Sequence, residues 1–201
     1  MRTRKKPKLI YGIGINDSET PVYWQVDGKM KVCPFYRKWM SMLERCYYEK
    51  LHVRRPTYRD CEVTSEWKRF TVFREWMKNQ DWEGRHLDKD LLITGNKTYS
   101  SETCIFVPQY VNNLLTDRAG KRGAFPQGVC RSFKRFKAQI GINGVSKYIG
   151  LYDTPEAASL VYQQALAAKV RETAAELPAN EDPRLAPALV RIAGEIEAKL
   201  S

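Results

Sequence analysis

The sequence predicts an α+β chain: helices in the N-terminal half, then a three-stranded antiparallel sheet packed on one helix, then a C-terminal helix. Three observations carry that expectation. Phe136, Ala138, Ile140 and Ile142 alternate with Arg135, Lys137 and Gln139, a period of two that gives a strand one apolar and one basic-polar face. Asn143-Gly144 follows, a dipeptide suited to a tight hairpin turn because both central positions favour positive φ. After a further strand-like run, Thr154 is a good N-cap, Pro155 suits the first helical position, and Glu156 complements the helix dipole.

The bounds are those of a folded, basic protein. At 201 residues the chain fits one large domain or two small ones, and 43% hydrophobic with 28% charged residues supports packed cores. Lys and Arg exceed Asp and Glu by 34 to 23, a net charge of +11, and that imbalance points to a polyanionic partner. No apolar run reaches membrane length, and the basic N-terminus MRTRKKPKL has no hydrophobic segment behind it, so neither a membrane nor a secretory signal is expected. The five cysteines form no CxxC pair. A zinc site from Cys46, His52, Cys61 and Cys104 has no familiar spacing, so buried free thiols in a reducing cytoplasm are expected and zinc is not.

In chain order, residues 1–9 form a basic arm, and Val22 to Val26 with Asp27-Gly28 predict a small hairpin. Gly12-Ile13-Gly14 lacks the third glycine and the helix of a phosphate loop. Pro34 opens a helix to about Lys50 with Phe35, Trp39, Met42, Leu43 and Cys46 on one face. Arg37, Lys38, Arg45 and Lys50 line the rest, facing phosphate or solvent. A loop spans Leu51 to Cys61. A second helix, about Ser65 to Gln80, carries Trp67, Phe70, Phe73, Trp76 and Met77 at core spacing. From Arg85 to Pro108, His86, Asp88 and Asp90 alternate with Leu87, Lys89 and Leu91, so one strand would project an imidazole and two carboxylates from one face. Two carboxylates that close call for a cation or for solvent. Gly95-Asn96 marks a turn, and Ser100 or Ser101 would cap a short helix entered at Glu102.

Residues 117–125 are a Gly- and Arg-rich linker. In the sheet region, Val145, Ile149 and Leu151 are expected to face inward, and Ser146 and Tyr148 outward. Between Arg118 and Lys147 lie Lys121, Arg122, Arg131, Lys134, Arg135 and Lys137 and not one acidic residue, so a cationic sheet face opposite nucleic acid is expected. Leu185, Leu189, Ile192, Ile196 and Leu200 mark a final helix that packs back on a domain.

The order GV…F.A.I…Y.G.YDTPEAA..VY..A, from Gly128 to Ala165, resembles the APETALA2 (ethylene-response-factor) DNA-binding domain, also found in phage and mobile-element endonucleases. The resemblance implies a sheet lying in the major groove, with Arg135, Lys137, Gln139, Ser146 and Tyr148 reading bases. Arg131, Lys134, Lys147, Lys121 and Arg122 complete the expected DNA-contacting set. Cys130 and Ser132 stand where the plant family usually has Arg. Further upstream, W.SM.ERCY…PTY.DC.V..EW..F..F..WM and LDKD….GNK.YS.ETC.FVP resemble phage homing endonucleases with a degenerate ββα-metal (HNH-like) motif. That resemblance implies Asp88 as a metal ligand and Asn96 as the loop Asn. Lys89 stands where the general-base His belongs, and Thr103 where a helical ligand would be. A charged Lys is no proton acceptor at neutral pH unless its pKa falls strongly.

Two readings stay open. In one, Asp88 and Asp90 hold Mg²⁺ or Mn²⁺, and His86 or hydroxide on the ion acts as base. In the other, the fold serves as a DNA-binding platform without hydrolysis. The expected organisation is thus a nuclease-type region over 1–116, an APETALA2-type domain over 126–175 and a helical tail over 176–201. It implies site-specific double-stranded DNA binding coupled to phosphodiester cleavage, as in a phage- or mobile-element-encoded endonuclease in the cytoplasm of a bacterial host. A monomer or weak dimer without a small-molecule cofactor is expected.

Overall fold

A computed structural model describes residues 9–116, 124–142 and 144–200. The basic arm up to Lys8, linker residues 117–123 with Lys121 and Arg122, and Asn143 lie outside the described residues. The architecture is mixed α and β, and contacts divide it into two compact units, one ending at Phe106 and the other beginning at Val107. That division falls ahead of the expected boundary at 116.

In the first unit, β1 (Tyr23–Val26) and β2 (Lys29–Val32) form the expected hairpin, with Asp27 and Gly28 at φ 49° and 72° in the turn. Helix α1 (Pro34–Tyr47) buries Tyr36, Trp39, Met42, Leu43 and Cys46. Its core partners include Trp67, Phe70, Phe73 and Met77, so the aromatic stripe is core. The indole of Trp39 donates to the Trp67 carbonyl at 2.7 Å. Gly14 runs against this core: a Cβ there would lie 2.3 Å from Leu43 Cδ1. The glycine serves close packing, not phosphate binding.

Three elements depart from expectation. The expected loop over 51–61 is entered by a short helix α2 (Glu49–Arg54) and contains a 3₁₀ turn (Pro56–Tyr58). Neither buries a residue, so no apolar period announced them. The helix expected from Ser65 is split into a 3₁₀ turn (Glu66–Lys68) and α3 (Phe70–Lys78). Arg69 between them is extended because Ile15 bridges there, donating to the Lys68 carbonyl and accepting from Phe70 N–H. The expected helix at Glu102 is a turn: the Ser100 hydroxyl accepts from Glu102 and Thr103 N–H, and the chain then extends as β6 (Ile105–Val107). β6 pairs with β4 (His86–Asp88), whereas β5 (Thr98–Tyr99) pairs in parallel with β3 (Glu62–Val63).

The second unit begins with α4 (Gln109–Leu115). β7 (Val129–Ser132), β8 (Arg135–Ile142) and β9 (Val145–Tyr152) form the expected antiparallel sheet. α5 (Pro155–Ala175) is capped by Thr154, whose hydroxyl accepts from Ala157 N–H at 3.1 Å. Val129, Ala138 and Ala158 are the buried centre between sheet and helix, with Phe125, Phe136, Ile149 and Tyr152 around them. Gly128 is obligatory, because its φ is 75° and a Cβ would sit 2.0 Å from the Tyr162 ring. α6 (Leu185–Glu197) packs along α5, and Arg171 meets Glu197 through both carboxylate oxygens.

Candidate nucleic-acid interface and acidic site

Residues directly opposite in an antiparallel pair share a face, so the register sorts the sheet. Ser132 lies opposite Arg135 and Cys130 opposite Lys137. Across the other edge of β8, Lys137 pairs with Leu151, Gln139 with Tyr148 and Gly141 with Ser146. The outward face therefore gathers Arg135, Lys137, Gln139, Ser146 and Tyr148, the five residues expected to share it. None of the three strands contains an acidic residue.

A bulge changes the rest. Ala138 faces Gly150 while Gln139 faces Tyr148, so Ile149 is the extra residue and the alternation of β9 slips by one beyond it. Leu151, expected inward, comes out beside Lys137. Lys147 lies opposite Ile140, and Arg131 opposite Phe136, so both belong to the face that carries the buried residues. Arg131 bends to the hairpin tip instead: its Nε donates to the Phe133 carbonyl at 3.1 Å, and its guanidinium lies 5.7 Å from the Phe136 ring centroid. Arg135 is held across the end of β9 by the Asp153 carboxylate at 2.9 Å and the Leu151 carbonyl at 3.1 Å. Lys134 is exposed in the turn. Phe133 beside it, which the alternation pattern passes over, is fully exposed.

The acidic site forms where β4 ends. His86 and Asp88 are half-buried on the strand and Leu87 is buried. Asp90 does not continue the alternation, because the strand stops at Asp88 and the chain turns back. Asp88 Oδ1 accepts from Asp90 N–H at 3.0 Å and Leu91 N–H at 2.7 Å, a turn closed by the side chain. Burial, then the Asp90 charge, push the Asp88 carboxyl above the usual carboxylate range, against the pull of those two amides.

Lys89 is only 5% exposed. It points inward, donates to the Asn96 carbonyl at 2.8 Å and lies 3.2 Å from Asp90 Oδ2. Asn96 answers by donating to the Lys89 carbonyl at 2.6 Å and the Thr98 carbonyl at 2.7 Å, while its oxygen accepts from Thr98 N–H at 3.2 Å. Both residues expected among the catalytic groups thus brace the loop from 89 to 98, with no amide hydrogen of Asn96 left over. Thr103 is likewise in the turn, its hydroxyl donating to the Thr98 carbonyl at 2.8 Å. The helix that follows the β4–β6 pair in the chain is α4, with Asn112 and Asn113.

Two α1 residues that looked like surface cations anchor β4. Lys38 donates to the Arg85 carbonyl, and Arg45 donates to the Leu87 carbonyl and the Tyr99 hydroxyl, both at 3.2 Å. Lys38 and Arg45 flank the apolar stripe of α1, and that position was the signal available for the role.

Asp88 and Asp90 are an oxygen-only pair suited to a hard divalent cation, which Mg²⁺ accepts from one or two carboxylates when water and phosphate fill the other positions. Lys89 competes for Asp90. Among the described residues no three His, Cys, Asp or Glu side chains cluster as a metal site. Cys46, Cys61 and Cys104 lie in the first unit's core, where burial pushes the Cys46 and Cys104 thiols up to about 12 and raises Cys61 as well. His52 Nε2 lies 2.8 Å from the Arg45 carbonyl. No described helix is long and apolar enough to cross a membrane.

Compared with protein-family profiles, with curated proteins and with solved structures, the chain matches none.

Proposed function

We propose that the protein binds double-stranded DNA site-specifically through the outward face of β7–β9. The observation that carries this is the register-aligned set Arg135, Lys137, Gln139, Ser146 and Tyr148 on strands without an acidic residue. A twisted sheet of this width fits a major groove, where Gln pairs with adenine edges and Arg with guanine edges. The reading also draws on the likeness to the APETALA2 domain. Binding to a duplex selected from a random pool tests it. Lys137→Ala and Gln139→Ala should each weaken binding about tenfold, the first with a shallower salt dependence. Unchanged affinity in both variants overturns this assignment of the face.

A second reading adds hydrolysis of a DNA phosphodiester in the first unit. The half-buried Asp88, its carboxyl raised by burial and by the Asp90 charge, favours it, since such a pair gains from a divalent cation. Asp88 and Asp90 would hold Mg²⁺ or Mn²⁺, which neutralises a phosphate and stabilises the leaving oxygen. His86, two residues from Asp88 on the same strand, would take the proton of the attacking water. Lys89 and Asn96 act by holding the loop. Plasmid cutting that needs Mg²⁺ or Mn²⁺ and vanishes in Asp88→Ala and His86→Ala supports this reading. Tight binding without any cutting leaves a DNA-binding protein on a nuclease-like scaffold.

A further inference from the structure

The two hairpins of the sheet are built from opposite kinds of turn residue. Between β8 and β9 the register leaves positions 143 and 144, and Gly144 takes φ 80°. Between β7 and β8 it leaves Phe133 and Lys134, and Phe133 takes φ 53°. Positive φ is cheap for glycine and unfavourable for a bulky side chain. The Phe133 ring is also 97% exposed, so burial returns nothing for that backbone. A single exposed apolar residue needs no explanation, but an exposed one in a disfavoured backbone well does.

The surroundings show what the ring would meet. Arg131 Nε bonds the Phe133 carbonyl, and the same guanidinium rests on Phe136, which packs on the sheet core. The turn is therefore braced from behind, with the ring standing clear of the tip. Lys134 is exposed next to it, and Arg135 begins the outward face. An apolar ring at a cationic tip suits a target that is anionic outside and stacked inside. Duplex DNA has that composition, and Phe is one of the side chains that wedge between its base steps.

We infer that Phe133 is a wedge that enters a base step of bound duplex DNA, and that Arg131 positions it by pinning the turn. The inference rests on the DNA-binding reading and adds an unstacking contact that the face formed by Lys137 and Gln139 does not supply. Because the ring contacts little of its own fold, its removal leaves the sheet intact.

The test uses the full chain and a duplex selected by the wild type from a random pool, with 2-aminopurine placed at successive steps. The wild type should raise the fluorescence at one step, the sign of unstacking. Phe133→Ala and Phe133→Gly should lose that rise and bind about tenfold more weakly with an unchanged salt slope. Phe133→Trp should keep both, and Phe133→Gly should melt no lower than the wild type. If Phe133→Ala binds and unstacks like the wild type while Lys137→Ala is weakened, the wedge is wrong and the DNA-binding reading stands. If the wild type selects no duplex, both fall. If Phe133→Ala alters only the capture of anionic phospholipid vesicles, the tip is a membrane contact and the wedge is overturned.

Discussion

The sheet face of the second unit and the acidic turn of the first use the same kinds of residue in opposite ways. On the sheet, Lys137, Gln139 and Tyr148 stand outward in register. At the acidic turn, Lys89 and Asn96 hold each other's backbone, and Asp88 closes its own turn. A side chain kept from internal partners is available to a ligand; one fully engaged in the fold sets geometry. Residue type alone does not mark a functional group. Lys89 stood where a general base would and is a brace, whereas Lys137, expected on the outward sheet face, stands there in register.

Stability should separate the two regions most sharply. Asn96→Ala removes three hydrogen bonds and takes the side-chain donor from the Lys89 carbonyl, while the Thr98 carbonyl keeps the Thr103 hydroxyl, and should cost about 3 kcal/mol in a denaturant titration. Lys89→Met, which keeps the apolar stem, should cost about 2 kcal/mol, because the Asn96 carbonyl loses its donor. The sheet counterparts Lys137→Ala and Gln139→Ala should stay within about 0.5 kcal/mol of the wild type. If Asn96→Ala is as stable as Lys137→Ala, the loop is not braced as described.

That contrast follows what was legible in the sequence. The sheet was legible because its signals are local: period two in β8, turn residues at 143 and 144, and a capped helix start at Thr154. The slip of β9 at Ile149 was not, because a bulge is set by how two strands meet rather than by either strand's pattern. The split of the helix at Arg69 depends on Ile15, more than fifty residues upstream. Ile105–Val107 is a short apolar run that helix and strand share equally, and only pairing with β4 decides it. Lys89 was misjudged for a related reason: burial of an ammonium is visible only once the Asn96 carbonyl and Asp90 are seen to meet it.

The middle effect concerns pH and cation. The folded carboxyl of Asp88 holds its proton above the ordinary value of 3.8, so its contribution is fully present below that value. It is lost as pH rises through the folded pKa. Asp88→Asn keeps an oxygen for the Asp90 and Leu91 amides and removes the charge. The variant should therefore melt higher than the wild type at pH 7, with the gap closing toward pH 4. Added Mg²⁺ should raise the wild-type melting temperature at pH 7 and leave Asp88→Asn unmoved. A wild type indifferent to Mg²⁺ would remove the cation from this turn and with it the cleavage reading, leaving the sheet untouched.

The smallest effect falls on the sheet itself, at the one place where it resembles the acidic turn. Arg135 is the outward residue with an internal partner, the Asp153 carboxylate, and both side chains are exposed. An exposed pair of this kind contributes at most about 1 kcal/mol, so Asp153→Asn should barely move the melting temperature. In binding the sign reverses, because the substitution frees the guanidinium for DNA and removes a negative charge beside the polyanion. Asp153→Asn should therefore tighten duplex binding several-fold at low salt, with the gain shrinking as salt screens it. Weaker binding in this variant would mean that Asp153 aims Arg135 rather than restrains it, and the sheet would then share the prepared geometry that otherwise distinguishes the acidic turn.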